Sequence, residues 1–74
     1  MSIDFSALLT SEQKRALLEQ RIAQFAAEGY QHQLNKVTLE ALGDTESLER
    51  TNQNIATIQA AIATHQAELE KLES

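Results

Sequence analysis

The sequence predicts an all-α fold, an antiparallel, coiled-coil-like hairpin of two helices with a short N-terminal arm. Apolar residues in the second half recur every seventh residue, and a second set follows three residues after each. The two sets are Leu48, Ile55, Ile62 and Leu69, and Thr51, Ile58, His65 and Leu72. This 3–4 spacing is typical of a coiled-coil seam. The 74 residues include no proline and only two glycines, which permits long helices.

Residues 1–10 are predicted to form the arm and residues 11–74 the helical hairpin. The arm carries apolar residues, and Asp4 can cap a single short turn. Thr10-Ser11-Glu12-Gln13 fits a capping box, in which Thr10 and Gln13 satisfy each other's backbone amides. The sequence therefore predicts that the first helix begins at residue 11.

The first helix is predicted to span about residues 11–42 and the second about residues 46–73. Gly29 is the weak point of the first helix, because glycine costs about 1 kcal/mol there relative to alanine. Gly43 suits the left-handed position after a helix, and Asp44 or Thr45 can cap the second helix. Such a short link predicts an antiparallel pair, with facing residues whose numbers add to about 87.

This register pairs the apolar stripes of the two helices. The predicted pairs are Leu39 with Leu48, Gly29 with Ile58, Phe25 with Ile62, Ile22 with His65 and Leu18 with Leu69. The missing side chain of Gly29 would leave room for Ile58. The stripe of the first helix is thus Leu18, Ile22, Phe25, Gly29, His32, Lys36 and Leu39.

The first helix also carries a second stripe, offset by two residues and therefore nearly opposite the first. It consists of Ala16, Ala23, Ala27, Tyr30, Leu34, Val37 and Ala41. A hairpin buries one stripe per helix, so the second stripe requires a further helix, either from the N-terminal segment or from another copy. A row of alanines on the second helix, from Ala56 to Ala67, has two interpretations: a packing face, or exposed residues chosen as good helix formers.

These patterns predict a homo-oligomer, most simply a dimer that forms a four-helix bundle. The predicted partner is the chain itself, with another protein as a further candidate. The predicted interface residues are Phe5, Leu9, Tyr30, Leu34, Val37, Ile55, Ile58 and Ile62.

Charge and hydropathy restrict the function classes. The net charge of −5 arises in the second half, and an acidic surface disfavours nucleic acid as a partner. No apolar run approaches the roughly 20 residues of a membrane span. The start MSIDFSALLT lacks the basic region of a signal peptide, and the chain has no cysteine. We therefore expect a cytoplasmic protein that binds neither nucleic acid nor membrane.

Chemistry-bearing motifs are sparse, and we expect no enzyme, no cofactor and no metal site. The register places His32 near Ile55 rather than near His65, so the two histidines do not share a metal within one chain. No catalytic triad, phosphate loop or cysteine nucleophile is recognisable. His65 is expected to be a partly buried structural histidine.

Two features bear on the function. The helix start Leu9-Thr10-Ser11-Glu12-Gln13-Lys14 and the alanine- and glutamine-rich hairpin resemble small accessory proteins of phages and prophages in style, which would place the chain in a host cytoplasm or a virion. This resemblance assigns no functional residue. The leading hypothesis is an interaction or assembly module. The alternative is a small-ligand sequestering protein or inhibitor with a site between subunits, lined by Tyr30, His32 and Lys36.

Overall fold

The computed structural model describes residues 2–73, and it confirms the predicted helical hairpin. A single 3-10 turn, Phe5–Leu8, lies in the arm. The helix α1 spans Ser11–Leu42 and the helix α2 spans Thr45–Glu73, so α2 begins at residue 45 rather than 46. The two helices pack against each other along their length.

Local hydrogen bonds fix where the arm ends and α1 begins. The Ser6 amide donates to Asp4 Oδ1 at 3.0 Å, which caps the 3-10 turn. Thr10 Oγ1 accepts from the Gln13 amide at 3.1 Å, and Gln13 Oε1 accepts from the Thr10 amide at 2.9 Å. The predicted capping box is therefore formed, and it satisfies two amides that would otherwise lack partners at the start of α1.

The bend combines a helix stop with a helix start. Gly43 has φ 71° and ψ 22°, the left-handed conformation in which glycine has no Cβ to clash. The amides of Gly43 and Asp44 donate to Glu40 O at 3.2 Å and to Leu39 O at 3.1 Å, which is a Schellman motif. Asp44 Oδ1 then accepts from the Ser47 amide at 3.1 Å and caps α2.

The predicted register between α1 and α2 is confirmed at Gly29 and Ile58. A Cβ placed on Gly29 would lie 3.4 Å from Ile58 Cγ2, so the two residues face each other directly. The predicted stripe residues of both helices are half-buried or buried, as a shared seam requires. Ile58, at 8% exposure, is the only buried apolar side chain of residues 2–73. The core is therefore a single thin layer between two helices.

The molecule is a rod. Its principal extents are 50 × 26 × 17 Å and its radius of gyration is 16.5 Å. A compact domain of this length would have a radius of gyration of about 11 Å. Neither α1 nor α2 combines the length and the apolar character that crossing a bilayer would require, a finding that covers residues 2–73.

Candidate functional site

The candidate site is the side of α1 that faces away from α2, which we call the back face. It consists of the second stripe predicted from the sequence, Ala16, Ala23, Ala27, Tyr30, Leu34, Val37 and Ala41. All seven residues are exposed. The three large ones, Tyr30, Leu34 and Val37, are 61%, 50% and 66% exposed. The hairpin therefore leaves a continuous apolar row uncovered, and such a patch usually marks an interaction site.

The polar surroundings of the back face are mostly uncharged in its central part. Gln24, Gln31, Gln33 and Thr38 lie beside the apolar row and are exposed. Charged flanks would repel a like-charged partner, and this chain carries a net charge of −5. Uncharged flanks lower that repulsion beside Tyr30, Leu34 and Val37.

The arm presents further apolar side chains. Ile3, Phe5 and Leu8 are 66%, 73% and 69% exposed, whereas Leu9 is half-buried. The arm and the neighbouring ends of the two helices enclose a shallow groove. Its lining includes Leu9, Leu17, Leu18 and Leu72, with Lys14 and Glu68 as its charged members. Of the two predicted arm contacts, Leu9 lines this groove and Phe5 lies open to solvent.

The remaining predicted interface residues belong to the interior of the hairpin. Ile55 and Ile62 are half-buried and Ile58 is buried, on the side of α2 that packs against α1. Their partner in this structure is α1 of the same chain. They hold α1 against α2, and they do not form part of the back face.

A polar contact between the helices was not anticipated from the sequence. Arg21 Nε donates to His65 Nε2 at 3.0 Å, and His65 Nδ1 lies 2.7 Å from Ala61 O. The His65 ring meets the Phe25 ring edge-on, with centroids 5.2 Å apart, and the Arg21 guanidinium carbon lies 5.4 Å from the Phe25 centroid. The three side chains therefore form one cluster that links α1 to α2. One feature of the sequence could have indicated this contact. The predicted register places His65 opposite Ile22, and Arg21 is the residue next to Ile22.

The three residues of the hypothetical ligand site do not meet in one chain. Tyr30 lies on the exposed back face, whereas His32 and Lys36 are half-buried on the side of α1 that faces α2. None of the three lines the groove beside the arm, and none lines a second open groove on α2 between Thr45 and Ala56. Among residues 2–73, no three histidine, aspartate or glutamate side chains are grouped closely enough to hold a metal ion.

Comparison with known proteins found no matching family model, no matching curated protein and no matching solved structure. The surface of the hairpin is therefore the basis on which its function can be inferred. On the back face, three large exposed apolar side chains, Tyr30, Leu34 and Val37, fall in one row on a single helix.

Proposed function

We propose that this chain is a homo-oligomeric helical interaction module, and that the back face of α1 binds a second copy of the chain. The observation that carries this proposal is the exposure of Tyr30, Leu34 and Val37 in one row on a rigid helix. Tyrosine is enriched in protein interfaces, and large apolar side chains in a row leave water favourably when a partner covers them.

The exposed area supports a partner of this size. The chain exposes 5794 Å². A compact folded monomer of 8.2 kDa would expose about 4,500 Å² by the usual scaling of surface with mass. The difference, about 1,300 Å², exceeds the roughly 800 Å² per partner that a standard stable interface buries. A second copy that buries a standard interface would therefore remove more than half of this excess.

The thin core of the hairpin also favours self-association. A small chain with one seam has little apolar burial to offset the loss of conformational entropy on folding. Oligomerisation is a common solution for chains of this length. An assembly module accordingly fits better than an enzyme, because the two grooves described on residues 2–73 are open to solvent, whereas catalytic sites are usually concave and exclude water.

Sedimentation equilibrium tests the proposal. The wild-type chain should have an average mass above 8.2 kDa, and this average mass should rise with protein concentration. Leu34→Glu should weaken self-association by at least about 100-fold, because it would bury an unpaired carboxylate. Leu42→Glu is the matched control, since Leu42 is 74% exposed but lies off the back face. A monomeric wild-type chain, or equal effects of both substitutions, would contradict the proposal.

The alternative, a small-ligand binding protein, has weaker support because Tyr30 lies on the other side of α1 from His32 and Lys36. A role as a phage-encoded accessory protein is compatible with an assembly module. It is a proposal from the style of the sequence, and the genes that neighbour the coding sequence would test it.

A further inference from the structure

The residues of the back face of α1 are spaced so that the pattern is the same in both directions along the helix. From Ala23 to Ala41 its residues follow steps of four and three in strict alternation. We propose that two copies associate through an antiparallel contact between their α1 helices, in a single register. Ala23 meets Ala41 of the second copy, Ala27 meets Val37, and Tyr30 meets Leu34. This inference rests on the proposed function, because it specifies how the second copy is bound.

The register follows from the rules of helix pairing. In an antiparallel coiled coil, each core position of one kind faces a core position of the other kind, and all such pairs share one register. The six residues from Ala23 to Ala41 satisfy this condition together, and Ala16 is the one back-face residue that lies beyond the contact. A two-fold axis then passes between the two copies close to the level of His32, and the contact is self-complementary, as an isologous interface requires.

Side-chain size favours the antiparallel over the parallel arrangement. The antiparallel register places the two Tyr30–Leu34 pairs next to the axis and the alanine-containing pairs outside them. Large anchors at the centre, surrounded by smaller contacts, are the usual distribution of energy in an interface. A parallel pair would stack Ala23 on Ala23 at one end and Tyr30 on Tyr30 further along. The distance that the side chains require between the two helices would therefore differ strongly between the alanine layer and the tyrosine layer.

The flanking residues fit the same register. Around the axis, Gln31 and Gln33 would each lie beside their own counterparts, where two amides can donate to and accept from each other. Glu40 would lie near Ala26 of the second copy rather than near another carboxylate. Like-charge repulsion is thus absent from the central layers, although each chain carries a net charge of −5.

The register also determines the shape of the dimer. The back face lies about 200° from the seam, so the second copy and α2 occupy nearly opposite sides of α1. The four helices would then form a flat layer in the order α2, α1, α1 and α2. This layer differs from the closed four-helix bundle expected from the sequence, because the two α2 helices do not touch.

Cysteine cross-linking tests the register, and the native chain has no cysteine to interfere. The double variant Ala27→Cys/Val37→Cys should form disulfide-linked dimers under mild oxidation. Each single variant should not, because equivalent positions would be about 15 Å apart along the axis, beyond disulfide reach. An equimolar mixture of the single variants should recover the cross-link. We expect at least about tenfold more linked dimer from the mixture than from either single variant.

A second pair and a mismatched pair complete the test. Tyr30→Cys mixed with Leu34→Cys should also cross-link, whereas Ala23→Cys mixed with Leu34→Cys should not, although both lie on the back face. Circular dichroism checks that every variant is helical. Cross-linking of Ala27→Cys alone would indicate a parallel pair and overturn the inference. Sedimentation equilibrium separates the two proposals: a dimer without the expected cross-links contradicts the register only, and a wild-type monomer contradicts both.

Discussion

Arg21 on α1 donates a hydrogen bond from Nε to Nε2 of His65 on α2, with 3.0 Å between the two nitrogen atoms. A guanidinium group has no acceptor, so Nε2 must be unprotonated to accept. The proton of the neutral ring is then on Nδ1, which lies 2.7 Å from Ala61 O and can donate to it. The packing of the hairpin thus selects one tautomer of His65, and both ring nitrogens have partners.

Nitrogen NMR of the His65 ring tests this assignment. We expect Nδ1 to carry the proton and Nε2 to have the shift of a hydrogen-bond acceptor, in solutions where the ring is neutral. Arg21→Ala should change the Nε2 resonance and leave Nδ1 protonated, because the bond to Ala61 is retained. Arg15→Ala is the control, since Arg15 is an exposed basic residue near the same end of α1. A proton on Nε2 in the wild-type chain would contradict the contact.

The contrast between the seam and this cluster shows what the sequence can predict. The seam residues, such as Phe25 and Ile58, follow a period that depends only on helix geometry, and the bend at Gly43 fixes the register. The contact of Arg21 depends on the rotamers of a long side chain with several donors within reach. The periodicity of the sequence does not predict side-chain rotamers, so the cluster was found only in the structure.

The back face was predictable in part from the sequence. The offset between its stripe and the seam was readable from the sequence, and the structure shows Tyr30 and Val37 exposed as the offset requires. The partner proposed to cover them, a second copy, would lie outside a single chain. Similarly, the pattern singled out Ile55, Ile58 and Ile62 as apolar contacts, and only the three-dimensional packing assigns them to α1 of the same chain.

Asp44 should make the hairpin sensitive to acid. The hydrogen bond from the Ser47 backbone amide, together with one from the Ser47 side chain, lowers the pKa of Asp44 below its ordinary value of 3.8. A carboxyl group with a lowered pKa in the folded state stabilises the fold above its unfolded-state pKa. That stability is lost as the pH falls through the folded-state pKa. Unfolding therefore becomes easier in strongly acidic solution, below about pH 4.

Asp44→Asn should remove this part of the acid sensitivity, because asparagine caps a helix without titrating. Urea unfolding of both proteins from neutral to acidic pH measures the difference. Asp4 retains its own lowered pKa, caused by hydrogen bonds from Ser6, so the variant keeps some acid dependence. Identical pH profiles for the variant and the wild type would show that the Asp44 cap does not contribute.

The capping box at the start of α1 should contribute measurably to stability. Thr10→Ala removes the acceptor of the Gln13 amide, 3.1 Å away, and should lower the free energy of unfolding by about 1 kcal/mol. Thr10→Ser retains the hydroxyl group and should stay within about 0.5 kcal/mol of the wild type. Denaturant unfolding at one fixed protein concentration is the measurement, because the proposed self-association would make stability depend on concentration. Equal losses in both variants would exclude the hydroxyl as the cause.

The fit of Ile58 over Gly29 leads to the sharpest prediction about the seam. A Cβ at residue 29 would lie 3.4 Å from Ile58 Cγ2, which is a close but ordinary van der Waals distance. Gly29→Ala should therefore stabilise the chain by roughly 0.5–1 kcal/mol through its better helix propensity. Gly29→Val brings methyl groups into the space that Ile58 occupies and should destabilise by about 1–3 kcal/mol.

A double-mutant cycle tests whether this contact is the cause. Ile58→Ala alone should cost about 2 kcal/mol or more, because it removes the one buried apolar side chain of residues 2–73 and leaves a void beside Gly29. In Gly29→Val/Ile58→Ala the added valine fills part of that void. The double variant should then be more stable than the sum of the two single losses predicts, by about 0.5–3 kcal/mol. Strict additivity in urea unfolding at fixed protein concentration would mean that residues 29 and 58 do not contact each other in solution.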